Sequence, residues 1–295
     1  MDRRAFLLGA GAAGLTVAWS AVGSAQRAVK PHAADLPRDD GAFPIGSVGL
    51  QLYTVRGLMQ QDVERTLEQV AAAGYRIVET AGLFDRTPAS FRQSLDRFGL
   101  RSVSGHYPLE QLEHDPDRLF ATARALGQEY VVVPSVPAAL RSSAAAYVAL
   151  AERFNQLGRS CRDAGFRFAY HNHNVEFETF GTDTPAYDML VQRTDAAVVS
   201  FELDVYWAYK AGQDPLRYVD RYPGRFALCH LKDGTAPPER AMADVGGGAI
   251  DFAGLFRRAR TAGLRYAFVE HDQPRDPLVS IRASHDNLVR LLRNG

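Results

Sequence analysis

Short apolar segments alternate with amphipathic segments along most of the chain, from residue 48 onward. The apolar segments are rich in β-branched and aromatic residues, and several amphipathic segments stop at a glycine. This order is typical of parallel βαβ units, in which a glycine-ended helix leads into a buried strand. The predicted strands cover residues 48–53, 75–80, 101–106, 129–134, 166–171, 197–204, 225–231 and 265–270. The predicted helices cover residues 63–73, 88–98, 116–126, 143–164, 184–193, 215–222, 251–262 and 278–292.

Eight strand–helix units in about 250 residues favour an α/β fold, a single-domain (β/α)₈ TIM barrel over residues 46–295. Periodicity alone does not distinguish a closed barrel from an open doubly wound sheet. No G-x-G-x-x-G follows the first strand, which weighs against a dinucleotide-binding fold. The glycines at 246–248 follow the seventh strand, and two interpretations stay open for them: a mobile loop or a segment that closes over a substrate.

The first 25 residues carry the features of an export signal. Arg3 and Arg4 precede an uncharged apolar run, and Gly23 and Ala25 suit cleavage after Ala25. This pattern predicts a twin-arginine-type signal and a periplasmic location. A membrane anchor is the alternative, but the run is short and glycine-containing for a stable span. Residues 26–45 are predicted to be a flexible lead-in.

Charge and composition exclude some classes of partner. Lys+Arg and Asp+Glu both number 34, so there is no basic excess for nucleic acid. No later segment is long and apolar enough for a membrane span, so none is expected after signal cleavage. Cys161 falls in a predicted helix and Cys229 in a predicted strand, and both are predicted to be free buried thiols. The oligomeric state stays open, and a homo-oligomer is allowed.

Three predicted strands end in side chains that bind metals. Asp204, His230 and Glu270 each follow an apolar run directly. A parallel barrel gathers the carboxyl ends of its strands on one face, where its active site lies. Since an unpaired buried carboxylate is costly, a cation partner is expected, and this donor set suits Mn²⁺ or Zn²⁺. The structural alternatives are a helix cap for Asp204 and a hydrogen-bonded core histidine for His230.

The end of the fifth predicted strand offers the fourth ligand. His171, Asn172, His173 and Glu176 crowd this position. Because side chains alternate along a strand, His171 and His173 are expected to point one way and Asn172 the other. His171 is the predicted ligand, while His173 and Glu176 stay open as alternative ligands or as substrate contacts. A purely structural polar corner is the remaining interpretation.

Residues near the other strand ends suit a polyhydroxylated ligand. Glu79 and His106 lie near the ends of the second and third strands. Trp207 is placed to stack on the apolar face of a sugar ring, and Lys232 to neutralise an oxyanion. Each also has a structural interpretation, as a core tryptophan or a salt-bridged lysine. Together they predict a polar cleft with an aromatic wall that binds a small-molecule carbohydrate.

Five segments together resemble the sugar phosphate isomerase/epimerase family, within the xylose isomerase-like TIM barrel superfamily. They are Gly49-Leu50-Gln51-Leu52-Tyr53-Thr54-Val55-Arg56, Tyr170-His171-Asn172-His173, Leu203-Asp204-Val205-Tyr206-Trp207-Ala208, His230-Leu231-Lys232-Asp233 and Val269-Glu270-His271-Asp272-Gln273-Pro274. The resemblance covers about residues 46–295 and is more specific for the fold than for the substrate. The family includes ketose epimerases, inosose and dehydroshikimate dehydratases, and lyases or hydratases of 3-keto-glycosides.

The resemblance implies one divalent metal ion, with Mn²⁺ expected and Zn²⁺, Co²⁺ or Fe²⁺ as alternatives. The family ligands are Glu, Asp, His and Glu; here Asp204, His230 and Glu270 match the last three, and His171 stands at the first. The implied reaction is Lewis-acid enolisation of a sugar or keto-sugar through an enediolate, with Glu270 as base and His171 or His173 as the opposing acid. Reprotonation gives an isomerase or epimerase. Loss of a β-substituent gives a dehydratase, or a lyase or hydratase of 3-keto-glycosides.

Two other classes of protein fit part of the pattern. An endonuclease IV-like nuclease shares the barrel and uses several metals, but zero net charge and export weigh against it. A non-catalytic periplasmic sugar-binding protein fits the cleft. Such a protein would not need Asp204, His230 and Glu270 together.

Overall fold

The computed structural model describes residues 43–181 and 183–294. The predicted export signal at residues 1–25 and most of the predicted lead-in lie outside the described residues, so both stay predictions. The end of that lead-in belongs to the packed structure. Phe43 is buried and stacks on Phe256, with 5.3 Å between the ring centroids.

Eight parallel strands form a closed barrel in their order along the chain. The strands are β1 (Val48–Gln51), β2 (Ile77–Thr80), β3 (Arg101–His106), β4 (Tyr130–Val133), β5 (Arg167–His171), β6 (Val199–Asp204), β7 (Phe226–Leu231) and β8 (Tyr266–Val269). The ring closes where β8 pairs with β1, with Val269 opposite Leu50. The closed barrel confirms the predicted fold class and excludes the open sheet.

Helices connect the strands on the outside of the barrel. The α-helices are Arg56–Gln61, Val63–Ala72, Pro88–Arg97, Leu109–His114, Pro116–Leu126, Ala144–Asp163, Ala186–Arg193, Val205–Lys210, Pro215–Arg221, Phe252–Arg257, Ala259–Ala262 and Pro277–Asn294. The 3₁₀ helices are Ile45–Ser47, Leu52–Val55, Ala138–Arg141 and Val175–Phe177. Side-chain caps begin several helices: the backbone N–H of Ala146 donates to the Ser143 hydroxyl, for example. The predicted helix at 251–262 is two short helices, separated at Arg258.

The first strand is shorter than predicted because a 3₁₀ turn replaces its last two residues. Gln51 ends β1, and its side-chain oxygen accepts a hydrogen bond from the backbone N–H of Tyr53 at 3.1 Å. This bond caps the turn Leu52–Val55, which turns the chain away from the barrel axis. Tyr53, predicted as the end of the strand, is therefore 42% exposed at the mouth of the barrel.

A separate apolar cluster fills the interior of the barrel below the carboxyl ends of its strands. Its members all come from strands: Ile77, Val103, Tyr130, Val132, Ala169, Ala227, Leu228, Tyr266 and Phe268. At Gly49, a Cβ atom would lie 2.8 Å from both the Phe268 ring and the Ile77 carbonyl oxygen. Only glycine leaves room for that packing. The polar residues that follow in the same strands thus lie above an apolar floor.

The glycine loop after β7 is held by one carboxylate. Asp233 accepts hydrogen bonds from the backbone N–H groups of Gly246 and Gly248 at 2.9 Å each. It also accepts from the N–H groups of Gly234 at 2.8 Å and Ile250 at 3.2 Å. Four bonds to one buried side chain favour an anchored loop over a mobile one.

Replacing Asp233 with alanine is expected to lower the free energy of unfolding by about 2–3 kcal/mol, because buried N–H groups lose their charged acceptor. Urea unfolding, followed by circular dichroism, measures this change. Asn at position 233 keeps one acceptor oxygen and is expected to cost less. An alanine variant within about 0.5 kcal/mol of the wild type would show that this carboxylate does not hold the loop.

Both cysteines are buried and free, as predicted. Burial raises the pKa of the Cys161 thiol to about 12, so the thiol stays protonated. Among the described residues, no helix has the length and apolar character required to cross a membrane.

Candidate active site

Seven carboxylate and imidazole side chains converge at the carboxyl ends of the barrel strands. They are Glu79 on β2, His106 on β3, His171 on β5, Glu202 and Asp204 on β6, His230 on β7 and Glu270 directly after β8. Six of them are buried, and the His106 side chain is 13% exposed. The sequence predicted all of these positions except Glu202.

The outer group of this cluster consists of His171, Asp204, His230 and Glu270. Asp204, His230 and Glu270 each offer a ligand atom, and these atoms lie within 4.8 Å of one another. His230 Nδ1 is 2.6 Å from Glu270 Oε2, and His171 Nε2 is 3.6 Å from Asp204 Oδ2. The structure therefore brings together all four predicted metal ligands.

Local hydrogen bonds set the position of Asp204. Its Oδ1 atom accepts from the backbone N–H of Trp207 at 2.9 Å, so Asp204 also caps the helix Val205–Lys210. The side chain of Asn172 bonds to the backbone N–H and carbonyl of Asp204 at 3.0 and 3.2 Å. These bonds tie the end of β5 to the end of β6. As predicted, Asn172 points away from the imidazole of His171.

Lys232 lies among three carboxylates beside the outer group. Its Nζ atom is 2.9 Å from Glu270 Oε2, 2.9 Å from Asp272 Oδ1 and 3.2 Å from Asp204 Oδ2. Burial opposes the charged form, but Asp204, Glu270 and Asp272 raise the pKa of Lys232 above its usual value. The lysine predicted to neutralise an oxyanion is thus charged, and it already balances three protein carboxylates. It also lies 5.5 Å from the centre of the Trp207 ring.

The inner group, Glu79, His106 and Glu202, lies against the same imidazoles. Glu79 Oε2 is 2.7 Å from His230 Nε2 and 3.1 Å from His106 Nε2. Gln51 donates to the same Glu79 oxygen at 2.7 Å. Glu79, predicted as a substrate contact, is fully buried and bonds to the protein instead. Through its contact with His230, Glu79 stabilises the outer group.

Burial and neighbouring charges together set the pKa values of the cluster. Burial raises the pKa of Glu202, but His230 and His106 outweigh this effect and lower it to about 2. Burial lowers the pKa of His106, but Glu79 and Glu202 raise it to about 9. Burial and the neighbouring His230 both lower the pKa of His171, so its ring is neutral. A neutral imidazole is the form that binds a metal.

A cavity of about 1170 Å³ opens above the outer group. Of the predicted site residues, those that line it are His106, His171, His173, Trp207, Lys232 and Glu270. The ring of His173 lies 5.6 Å from that of Trp207, measured between centroids. The predicted aromatic wall is therefore present. The opposite wall comes from the loop after β2 and from Tyr107, Gln111 and Arg118.

Glu176 does not line this cavity, and neither do Glu79, Asp204 and His230. Glu176 is 2% exposed, and it accepts hydrogen bonds from the Tyr170 hydroxyl at 2.8 Å and the His173 backbone N–H at 2.7 Å. These bonds shape the turn after β5. The geometry thus gives Glu176 a structural role in positioning His173.

Glu202 is the site residue that the sequence analysis missed. It lies inside β6, between the buried residues Phe201 and Leu203. Strand alternation was the available signal, because Glu202 is two residues before Asp204 and so faces the barrel interior with it. A buried glutamate in an apolar strand needs partners, and here they are three histidines.

A model of the family described as xylose isomerase-like TIM barrel matches residues 67–291, which is more than half of the chain. The chain belongs to the xylose isomerase-like TIM barrel family. This match confirms the resemblance found in the sequence.

Relatives within this family include sugar-modifying enzymes of two reaction types. An inosose dehydratase from Lacticaseibacillus casei is 26% identical over 190 residues, which cover 58% of this chain and 63% of that protein. The chain thus spans less than two thirds of that relative. A sugar phosphate isomerase/epimerase from Parabacteroides distasonis has a TM-score of 0.69 and 27% identity, covering 82% of this chain and 93% of that one.

A second similar structure is the IOLI protein, solved with a bound zinc atom. Its TM-score is 0.62 with 17% identity, covering 84% of this chain and 98% of that chain. At this identity the likeness shows the fold alone. The chain is thus similar to TIM-barrel proteins that are named as sugar-modifying enzymes.

Proposed function

We propose that the protein is a divalent-metal-dependent isomerase or epimerase of a sugar or keto-sugar, and that it acts through an enediolate. The single observation that carries this proposal is the outer group. Three of its side chains have ligand atoms within 4.8 Å of one another, and the group lies beside a cavity lined by Lys232 and Trp207. The substrate carbon next to the carbonyl group would lie beside the Glu270 carboxylate in that cavity.

Four side chains would hold the metal: His171, Asp204, His230 and Glu270. Asp204 Oδ2 is buried and lies 3.2 Å from the Lys232 ammonium and 3.6 Å from His171 Nε2, so a bound metal would share this carboxylate with the ammonium. Two carboxylates and two imidazoles suit Mn²⁺, Zn²⁺, Co²⁺ or Fe²⁺. When bound, the metal supplies Lewis-acid stabilisation of the enediolate oxygens.

Glu270 is the proposed base because it is ionised and faces the cavity. Burial opposes its charged form, but Lys232 and His230 outweigh burial and hold its pKa well below the usual range. His171 and His173 line the same cavity, and His173 is the proposed opposing acid because His171 would be bound to the metal. An imidazole can pass a proton to the far face of the substrate carbon. Trp207 offers a ring surface for the apolar face of the sugar.

Elimination is the second candidate outcome at the same site. Its support is the similarity to inosose dehydratases and the size of the cavity. About 1170 Å³ exceeds the usual upper range of about 1,000 Å³ for small-molecule sites and leaves room beside one sugar ring. A β-substituent, such as water or the alcohol of a 3-keto-glycoside, would leave after the proton is removed.

Hydrogen exchange with solvent tests the proposal. Keto-sugars and 3-keto-glycosides are incubated in D₂O with chelator-treated protein, before and after Mn²⁺ or Zn²⁺ is added back. NMR is expected to show deuterium at the carbon next to the carbonyl only when metal is present. An epimer or isomer as product supports the first outcome, and an unsaturated or cleaved product supports the second. Sugar binding without exchange and without bound metal would contradict both and favour a non-catalytic binding protein.

A further inference from the structure

Glu202 makes contacts that the proposed reaction does not use. Its Oε2 atom lies 2.9 Å from His106 Nε2, 3.0 Å from His171 Nδ1 and 3.1 Å from His230 Nε2. The side chain is fully buried. Three imidazoles, from β3, β5 and β7, therefore meet at one carboxylate oxygen.

An ionised carboxylate can only accept hydrogen bonds. Each imidazole nitrogen that bonds to Glu202 must therefore carry the proton. For His171 this is Nδ1, which leaves Nε2 unprotonated and directed toward Asp204 Oδ2 at 3.6 Å. For His230 it is Nε2, which also faces Glu79 at 2.7 Å. His230 Nδ1 faces Glu270 at 2.6 Å, and a metal bound between them would replace the proton on that nitrogen.

We propose that Glu202 is a positioning residue that fixes the tautomers of His171 and His230, and thereby makes His171 the fourth metal ligand. The inference rests on the proposed function, because it assumes a metal at the outer group. A ligand histidine commonly donates its second N–H to a carboxylate, which orients the ring and raises its basicity. Here one carboxylate does this for two ligands on different strands.

The same contacts decide among the candidate fourth ligands. His173 packs its ring against Trp207, and its backbone N–H bonds to Glu176. Glu176 does not line the cavity. Of these candidates, His171 alone has a ring nitrogen near Asp204 and its other nitrogen at a carboxylate. His171 thus occupies the place of the family's first glutamate.

A competing arrangement is a second metal ion held by the inner residues. His106, His171, Glu202 and His230 also have ligand atoms within 4.8 Å of one another. In that arrangement Glu202 would be a ligand, and the nitrogens that face it would carry no proton. The two arrangements therefore differ in the tautomers and in the number of metals bound per chain.

Histidine NMR on wild-type protein with one equivalent of Zn²⁺ separates them. Two-bond ¹⁵N–¹H correlations on ¹⁵N-histidine-labelled protein report which nitrogen carries the proton and which binds zinc. We expect a proton on Nδ1 and zinc on Nε2 for His171, and a proton on Nε2 and zinc on Nδ1 for His230. The reverse assignment, or two zinc ions per chain, would overturn the inference and leave the metal-dependent function standing. Wild-type protein that binds no divalent metal would defeat the proposed function itself.

The Glu202→Gln variant tests the positioning role independently of the NMR assignment. Glutamine has nearly the same size but carries an N–H₂ group and cannot accept from three imidazoles. Zinc affinity is expected to fall about 10–100-fold, with a shifted d–d spectrum in the cobalt-loaded protein. Glu129→Gln is the matched control, since Glu129 bonds to Tyr266 at the opposite end of the barrel. Unchanged zinc affinity and cobalt spectrum in folded Glu202→Gln would refute the positioning role.

Discussion

Replacing Glu270 with glutamine is expected to lower turnover by at least about a hundredfold. An amide of the same size cannot accept the proton that leaves the substrate carbon. It also removes one carboxylate from the outer group, so the stabilisation of the enediolate weakens with it. The measurement is the rate of deuterium exchange into a keto-sugar with saturating Mn²⁺, so that metal loss alone does not account for the effect.

A matched substitution separates the loss of the base from the loss of an ion pair. Glu270 and Asp272 each lie 2.9 Å from the Lys232 ammonium, but only Glu270 is the proposed base. Asp272→Asn is therefore expected to keep the rate within about tenfold of the wild type, because a partly exposed ion pair contributes little. Exchange by Glu270→Gln at the wild-type rate, in protein with wild-type circular dichroism, would rule out Glu270 as the base.

Asp204→Ala is expected to weaken divalent-metal binding by more than about a hundredfold. Losing a residue that only hydrogen-bonds to a metal ligand costs up to about a hundredfold, and the loss of a ligand is expected to exceed this. The reason is direct: Asp204 contributes one of two carboxylate charges in the outer group. Turnover is expected to fall in parallel at limiting metal. Metal content after dialysis against chelator-free buffer, with calorimetric titration of Mn²⁺, measures the loss.

Asp204 also caps a helix, so the cap needs its own control. Asp214 plays the same role at the next helix, where its carboxylate accepts from the Leu216 N–H at 2.9 Å. Asp214→Ala is expected to cost about 1 kcal/mol of stability and to leave metal affinity unchanged. A full metal complement in Asp204→Ala would remove this residue from the ligand set.

The sequence was sufficient to predict the repeating strand–helix units, but it predicted the ends of the strands and helices less accurately. The pattern of strand–helix units located all eight barrel strands, because most of these strands bury a short apolar run. Ends were misplaced where a side chain intervened, as when Gln51 caps a 3₁₀ turn and shortens β1. The break at Arg258 inside the predicted last-but-one helix has no sequence signal such as proline.

The candidate site was predictable to the extent that strand direction governs it. Asp204, His230 and Glu270 follow strands that all run the same way, so their side chains had to share one end of the barrel. Glu202 was missed because its partners are histidines of other strands, and the sequence does not show that these histidines surround its position inside β6. Lys232 was assigned to the substrate because the sequence does not show that Asp204, Glu270 and Asp272 surround it.

Local patterning of apolar and polar residues is thus enough to specify the strand–helix units and the strand ends at which the candidate site residues lie. Contacts between distant residues, such as His230 with Glu79, arise when β8 pairs with β1 and the ring closes. Closure of the ring depends on packing across the whole barrel, so no short segment of the sequence predicts it. The same holds for the contact between His171 Nδ1 and Glu202, because this carboxylate lies on another strand.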